Sequence, residues 1–463
     1  MWLALFFLTT ASLADGGVDE APVAGLEAHP AVPVPREAAG DAGVAEPPSN
    51  VSLHGALEAD LGLFPGGFGA NGPDLLTTVH PVLGFAVGEV FGLELGPTFR
   101  LRVIDADADN RPSDLGGFLR GPDWDELSDF GQIVSSLRIG REGGPFAIRV
   151  GPMRKKTLGL GHLVWRYSNQ VNPNYHPASA ALDFRAGPVR GEFFASDVLG
   201  ARLLAGEVSW DLGGTFSSDA AVKDRYVLAL SVAHDFNLAG RPFNPVAGAT
   251  PFTPQPATLL NLDASAVLVR NATLRWLVLL GSGARANAKG DLGFLVGTAV
   301  DATVKEVGFS TRFELRKQAG GFRQHFFGPM YELQRFVDVG YRGPSVQDAL
   351  LPDGLSAFAE LRVGIGTRVT FDVAAEYFFW NRLDLDGSFS LALLNDWLYF
   401  TLRSTMLGLA QAPRYAFSGG LRLRLFASFY LLAEGATVFL PQPDGSLIRG
   451  VGGSAGVGID FER

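Results

Sequence analysis

Residues 91–103 read FGLELGPTFRLRV. Phe91, Leu93, Leu95, Pro97, Phe99, Leu101 and Val103 fall in one phase, and Glu94, Thr98, Arg100 and Arg102 fall in the other. Side chains alternate between the two faces of a strand, so this is a strand with one greasy face and one charged face. It is longer than the ~5–6 residues usual in soluble sheets. It is long enough for a tilted strand to cross a bilayer, which takes about 9–11 residues.

The pattern recurs along the chain. Val307, Phe309, Thr311, Phe313 and Leu315 oppose Ser310, Arg312, Glu314 and Arg316. Val369, Phe371, Val373, Ala375 and Tyr377 oppose Thr370, Asp372 and Glu376, and Leu421, Leu423 and Leu425 oppose Arg422 and Arg424. Val51, Leu53, Leu57, Ala59, Leu61 and Leu63 oppose Ser52, His54, Glu58 and Asp60. No stretch reaches the ~18 apolar residues of a membrane helix. Lipid admits only helices and closed barrels, because both satisfy every backbone polar group internally. The sequence therefore predicts an all-β fold over residues 51–463: a transmembrane antiparallel β-barrel of about 18 strands, within 16–20.

Composition fits this reading. The 463 residues are 47% hydrophobic and only 19% charged. Cys is 0, which rules out disulfides and thiolate metal sites and suits passage through an oxidising compartment. A net charge of −10 argues against nucleic acid as a partner.

The N-terminal region is of a different material. Residues 1–14, MWLALFFLTTASLA, have a short apolar core and end Ser12-Leu13-Ala14, which predicts a signal peptide. Residues 15–50 carry Pro22, Pro30, Pro33, Pro35, Pro47 and Pro48 among Ala, Gly and Glu, which predicts a disordered periplasmic linker.

Connections alternate in length. Tight turns are expected at residues 142–145, 187–188, 271–272, 301–302, 366–367, 395–396 and 427–428. Long loops are expected at 104–129, 154–178, 237–258 and 317–354, with a shorter one at 441–447. Short turns on one rim and long loops on the other are a barrel feature. Residues 213–225 break the alternation, which points to a misplaced strand nearby.

An arginine on the lipid face costs about 2–4 kcal/mol at mid-depth, so strand arginines should point inward. The expected pore-lining set is Arg100, Arg102, Arg138, Arg149, Arg312, Glu314, Arg316, Arg362, Asp372, Glu376, Arg403, Arg422 and Arg424. Arg275, Arg368, Glu58, Asp60, Glu94, Glu192, Asp263, Glu306, Glu360 and Glu434 share that phase. Lys is nearly absent from the strands, with Lys305 the main exception. Paired charges of this kind either line a conducting path or merely solvate a wet wall.

Other motifs carry less. Asp105, Asp107 and Asp109 space carboxylates as a calcium loop does, but Gly116 stands where a bidentate Glu belongs, so a solvated acidic loop is favoured and no cofactor is expected beyond Ca²⁺. Trp165, Tyr167, Asn169 and Tyr175 crowd one long loop, which suits carbohydrate binding or a folded-in constriction. His162, Ser168 and Asn169 invite comparison with barrel phospholipases, but residue types without geometry make no triad, and no enzyme is expected.

Val457, Ile459 and Phe461 resemble the C-terminal strand signal of outer-membrane proteins, which implies the barrel-assembly machinery as a partner. Glu462 and Arg463 follow the aromatic that usually ends it. Taken together, residues 51–463 resemble bacterial outer-membrane porin-like barrels, and the arginine-rich interior is similar to that of polysaccharide-export barrels. The resemblance implies a Gram-negative outer membrane, lipid as partner, and a channel for polar solutes or a secreted polymer such as polysaccharide. The alternative is a structural barrel that anchors an envelope or cell-surface complex.

Overall fold

Strand pairing runs round the molecule and returns to its start. The computed structural model describes residues 51–65, 72–105, 118–219, 221–236, 256–286, 288–394, 397–426, 428–442 and 444–462. The predicted signal peptide and linker, at 1–14 and 15–50, lie outside these residues.

The strands are β1 (Val51–Phe64), β2 (Asp74–Val87), β3 (Phe91–Leu95), β4 (Phe99–Ile104), β5 (Val134–Ile139), β6 (Phe146–Gly151), β7 (Ser179–Ala186), β8 (Val189–Ala195), β9 (Leu203–Asp211) and β10 (Tyr226–Asp235). They continue as β11 (Ala257–Arg270), β12 (Leu274–Arg285), β13 (Leu292–Val304), β14 (Val307–Gly320), β15 (Leu351–Ile365), β16 (Val369–Phe378), β17 (Arg382–Leu393), β18 (Leu398–Leu409), β19 (Arg414–Arg424), β20 (Phe429–Pro441) and β21 (Leu447–Glu462). Neighbours pair antiparallel throughout, and β1 closes on β21 through His54–Leu63 and Gly453–Glu462. β3 and β4 are two pieces of one crossing, because both pair with β2. The barrel therefore has 20 crossings among the described residues, at the upper end of the expected range. The break at Gly96-Pro97-Thr98 interrupts the stretch that decides the fold, because Pro97 has no N–H to donate to a ladder.

The phases fall as the alternation requires. Phe309, Phe313 and Leu315 on β14 are 41%, 48% and 46% exposed on the outside, while Glu314 and Arg316 between them are fully buried inside. Near the short-turn rim the outer face carries Phe146, Trp210, Tyr226, Trp276, Trp397 and Phe461, all exposed. An apolar exterior with an aromatic rim is what lipid selects at a bilayer interface. In water so large a continuous apolar surface would drive aggregation.

Three expectations need correction. Residues 301–302 are not a turn: Asp301 and Ala302 lie within β13, and the chain reverses at Lys305-Glu306, with Lys305 at φ +56°. Lys305 and Glu306 are therefore turn residues, as is Arg368, and none of the three faces the lumen from a strand. The long connection at 213–225 is genuine; a short helix, Leu212–Phe216, and a turn fill it, and β9 and β10 on either side pair in full register. The long-loop rim also has short members, at 379–381 and 410–413.

Strand length divides the wall. β5 and β6 have six residues each, β7 eight and β8 seven, whereas β11 to β21 have 10–16. Beyond the short strands the wall is completed by a single antiparallel bridge, Leu119 with Leu101, and by turns. Phe118–Arg120 bond to β4 through Arg102 N–H and Arg100 C=O, and two 3₁₀ turns follow, Gly121–Asp123 and Leu127–Ile133.

Candidate functional site

Two long loops do not stand outside the barrel. They fold into it, and the principal core of the protein lies in the lumen. Leu163, Val164 and Tyr167 of residues 152–178, and Phe322, Phe326, Phe327 and Tyr331 of residues 321–350, are buried together against Ala181, Phe194, Leu203, Ala233 and Leu259 of the wall. The first loop closes on itself as a small hairpin, Lys156 bridging Tyr167. The second loop zips onto it: His325 N–H bonds His162 C=O, Phe327 N–H bonds Leu163 C=O, and Trp165 N–H bonds Phe327 C=O. Gly159 permits the hairpin. Its φ is +49°, and a Cβ there would lie 1.8 Å from the Glu207 carboxylate.

Charge complementarity seats the first loop. It contains Arg154, Lys155, Lys156 and Arg166 and no Asp or Glu. The wall from β8 to β17 meets it with carboxylates. Arg166, at φ +51°, donates to Asp386 and Glu360 at 2.6 Å each and also to Asp372. Its guanidinium lies 4.4 Å over the Trp165 ring, which stacks on His325. His162 bonds Asp263 through Nδ1 and Glu314 through Nε2, the latter at 2.9 Å. Burial opposes its charge, but Glu314 and Asp263 together hold its pKa above the ordinary histidine value. His325 is held well below that value by burial and by Arg316 and Arg312.

The second loop is fixed likewise. Arg335 pairs with Asp235 at 2.9 Å, and Tyr167 donates to Glu332 at 2.5 Å. Asp338 takes Arg323 at 2.6 Å and Arg382 at 2.9 Å. Arg414 donates to the carbonyls of Val337, Gly340 and Asp338.

The thirteen residues expected to line a pore fall into two groups. Glu314, Arg316, Asp372 and Glu376 are buried under the loops, where Arg316 bridges Glu314 and Glu376. Arg312 is nearly covered beside Glu314, and Arg362 keeps 35% side-chain exposure near Asp372. Of the others Arg102 is also nearly covered, at 10% side-chain exposure, and the rest remain more open. Arg422 and Arg424 share Asp460 at 2.7 Å each, with side chains 29% and 33% exposed. Arg149 pairs with Asp183, Arg102 with Asp74, and Arg100 with Asp123. Arg138 and Arg403 have neither a hydrogen bond nor an ion pair among the described residues, and nor has Arg154 on the first loop, which is exposed. Lys155 reaches Ser388 at 2.5 Å; burial and the nearby Arg403 lower its pKa to about 8.

The four loop-binding candidates lie inside the lumen. Tyr167, Asn169 and Tyr175 are buried, and Asn169 spends its amide on Met153 N–H and Ser196 C=O. Trp165, 7% exposed, lines a recess of about 190 Å³ with Leu160, Leu277, Leu279, Arg275 and Arg312. His162, Ser168 and Asn169 are not brought together as a triad, because both imidazole nitrogens of His162 engage carboxylates. Asp105 is described at the end of β4; Asp107 and Asp109 lie outside the described residues. For the first loop the folded-in constriction is the alternative that holds; the inward course of the second loop had no counterpart in the sequence reading. The signal was there in the first loop, which has four cations and no acid next to strands rich in inward carboxylates.

No protein-family model matches the chain, and no curated protein matches it. Among solved structures, Pseudomonas aeruginosa OccK8 (OprE) is similar at 9% identity with a TM-score of 0.36, over 90% of this chain and 98% of that one. The outer membrane protein OpdK of the same organism gives 10% and 0.36 over 89% and 99%. Acinetobacter baumannii OccAB4 gives 9% and 0.36 over 90% and 99%. Likeness at this level assigns no activity to the chain.

Proposed function

We propose that this protein is a porin-like channel of a Gram-negative outer membrane, narrowed by two infolded loops and passing small polar solutes, anions preferentially. The observation that carries this reading is the unequal lumen. The loops cover the acidic wall from β8 to β17 and are neutralised there. The passage left along β18 to β21 and β1 to β5 is faced by Arg154, Lys155, Arg403, Arg422, Arg424 and Arg138; Lys155 pairs with Asp372 at 3.9 Å, while Arg138, Arg154 and Arg403 form no salt bridge among the described residues, Asp386 acting on Arg403 and Glu434 on Arg154 at longer range. Cations without a salt-bridge partner at a narrow, wet site concentrate anions. Glu434, Glu58 and Asp60 on the facing strands limit the preference without reversing it.

A filled lumen favours small solutes over a polymer such as polysaccharide, which would need the loops to move. The anchoring role is the second reading, and the apolar core inside the barrel favours it, because so rigid a plug suits a barrel that is not a conduit. Reversal potentials in planar bilayers under a salt gradient separate the two. A steady chloride-preferring conductance supports the channel. Inserted protein without conductance supports the anchor.

A further inference from the structure

Lys155 is an amine placed among cations. It stands on the first loop at φ +56°, the left-handed region that residues with a Cβ rarely adopt outside over-determined sites. Its Nζ donates to Ser388 Oγ on β17 and lies 3.9 Å from Asp372. Directly across the ladder from Ser388 is Arg403, which has no hydrogen bond or salt bridge among the described residues. Arg154, the residue before Lys155, is in the same condition, and its charge opposes that of Arg403. The nearby acids are committed elsewhere. Asp372 and Asp386 both accept from Arg166, Asp386 also accepts from Thr405, and Asp372 lies 3.5 Å from Arg362. Other lysines are placed differently: Lys156 meets Glu192 at 3.3 Å, Lys317 meets Asp353 at 2.5 Å, and Lys305 is exposed on a turn. Burial and Arg403 lower the Lys155 amine to about 8, so roughly a tenth of it is neutral at pH 7.

A neutral amine is a nucleophile, and turning it into an anion at this place would give Arg403 the partner it lacks. We infer that Lys155 is a carbon dioxide site, which it holds as a carbamate. The protonated amine first gives up a proton to water. The Nζ lone pair then forms a bond to the carbon of CO₂, one C=O electron pair moves onto its oxygen, and the nitrogen loses a second proton to water. Nothing is oxidised or reduced. The side chain passes from cation to anion, and the carbamate oxygens accept from the Arg403 guanidinium in a charge-assisted bond. The Lys155 side chain is 15% exposed, which admits a reagent as small and uncharged as CO₂ and disfavours bulky acylating groups. An anion in place of a cation beside the passage weakens its preference for anions, so dissolved CO₂ would tune what the channel passes.

The effect on conduction rests on the channel reading above, whereas the carbamate chemistry does not. Full-length protein in liposomes is equilibrated with carbon-13 bicarbonate and CO₂, trapped by O-alkylation with a trialkyloxonium salt, and digested for mass spectrometry. The expected result is trapped carbamate at Lys155, severalfold above that at the exposed Lys305, and severalfold less at Lys155 in the Arg403→Gln variant. In planar bilayers, raising CO₂ at constant pH should lower the chloride preference of the native protein. Lys155→Arg keeps the charge and loses the nucleophile, so its preference should not respond. Trapping at Lys155 no greater than at Lys305, or unaltered by Arg403→Gln, would overturn the site. A trapped carbamate with a chloride preference indifferent to CO₂ would overturn its control of conduction. Inserted protein that carries the carbamate and passes no current would instead overturn the channel reading and leave the site standing.

Discussion

The wall from β8 to β17 and the wall from β18 round to β5 share one alternation, one apolar exterior and one set of inward Arg, Asp and Glu. They differ in what covers them. On the first, Glu314, Arg316, Asp372 and Glu376 are sealed beneath the loops and fully paired. On the second, Arg422, Arg424 and Arg403 face open lumen. The same residue types therefore hold a plug on one side and line a passage on the other. Binary pattern fixes which face a charge occupies, and loop conformation decides what it does there.

The comparison can be broken most sharply at Arg166. Arg166→Met leaves Glu360, Asp372 and Asp386 without their shared cation in a buried site. The expected loss is about 3–5 kcal/mol, read as earlier unfolding on heating, together with a larger and noisier conductance as the loop detaches. A conductance unchanged in size and noise would mean that the first loop does not narrow the lumen. Next comes Gly159→Val, which combines an unfavourable positive φ with a clash against Glu207. A cost of roughly 1–3 kcal/mol is expected, with partial unseating of the hairpin seen as faster proteolysis in the first loop. Wild-type protease resistance would count against that seating.

On the open wall the effects should be electrical, with little change in stability. Arg154→Gln with Arg403→Gln should move stability by less than about 0.5 kcal/mol and lower chloride preference severalfold. A large loss of stability, or unchanged selectivity, would contradict the division. The smallest effect is in pH. Lys155 has a lowered pKa, so its charge is present at pH 7 and lost as pH rises through about 8. Chloride preference should weaken between pH 7 and pH 9, and Lys155→Met should flatten that dependence. A native channel indifferent to pH over this interval would remove Lys155 from the passage.

Much of the fold was legible because strand periodicity is local. Residues 307–316 reveal a two-faced strand from ten residues alone, and β14 follows them. The 301–302 turn was misplaced because Asp301 looks like a turn former, yet it pairs with Arg275 and Ser310 across the sheet. The break in residues 91–103 was marked by Gly96-Pro97 but overridden by the unbroken phase on either side. The loops were least legible. Whether Tyr167 meets a ligand outside or Glu332 inside depends on a contact between residues 165 apart, which no local pattern records.

The most direct test of the divided lumen is the rate at which a charged thiol reagent reaches single cysteines placed on its two sides. Ser454→Cys on β21 and Ser356→Cys on β15 both point inward, but Ser356 is fully buried beneath the loops. Rapid modification at 454 with a fall in current, and none at 356, is the expected result. Equal modification at the two positions would contradict it, because the loops would then leave both walls open to water.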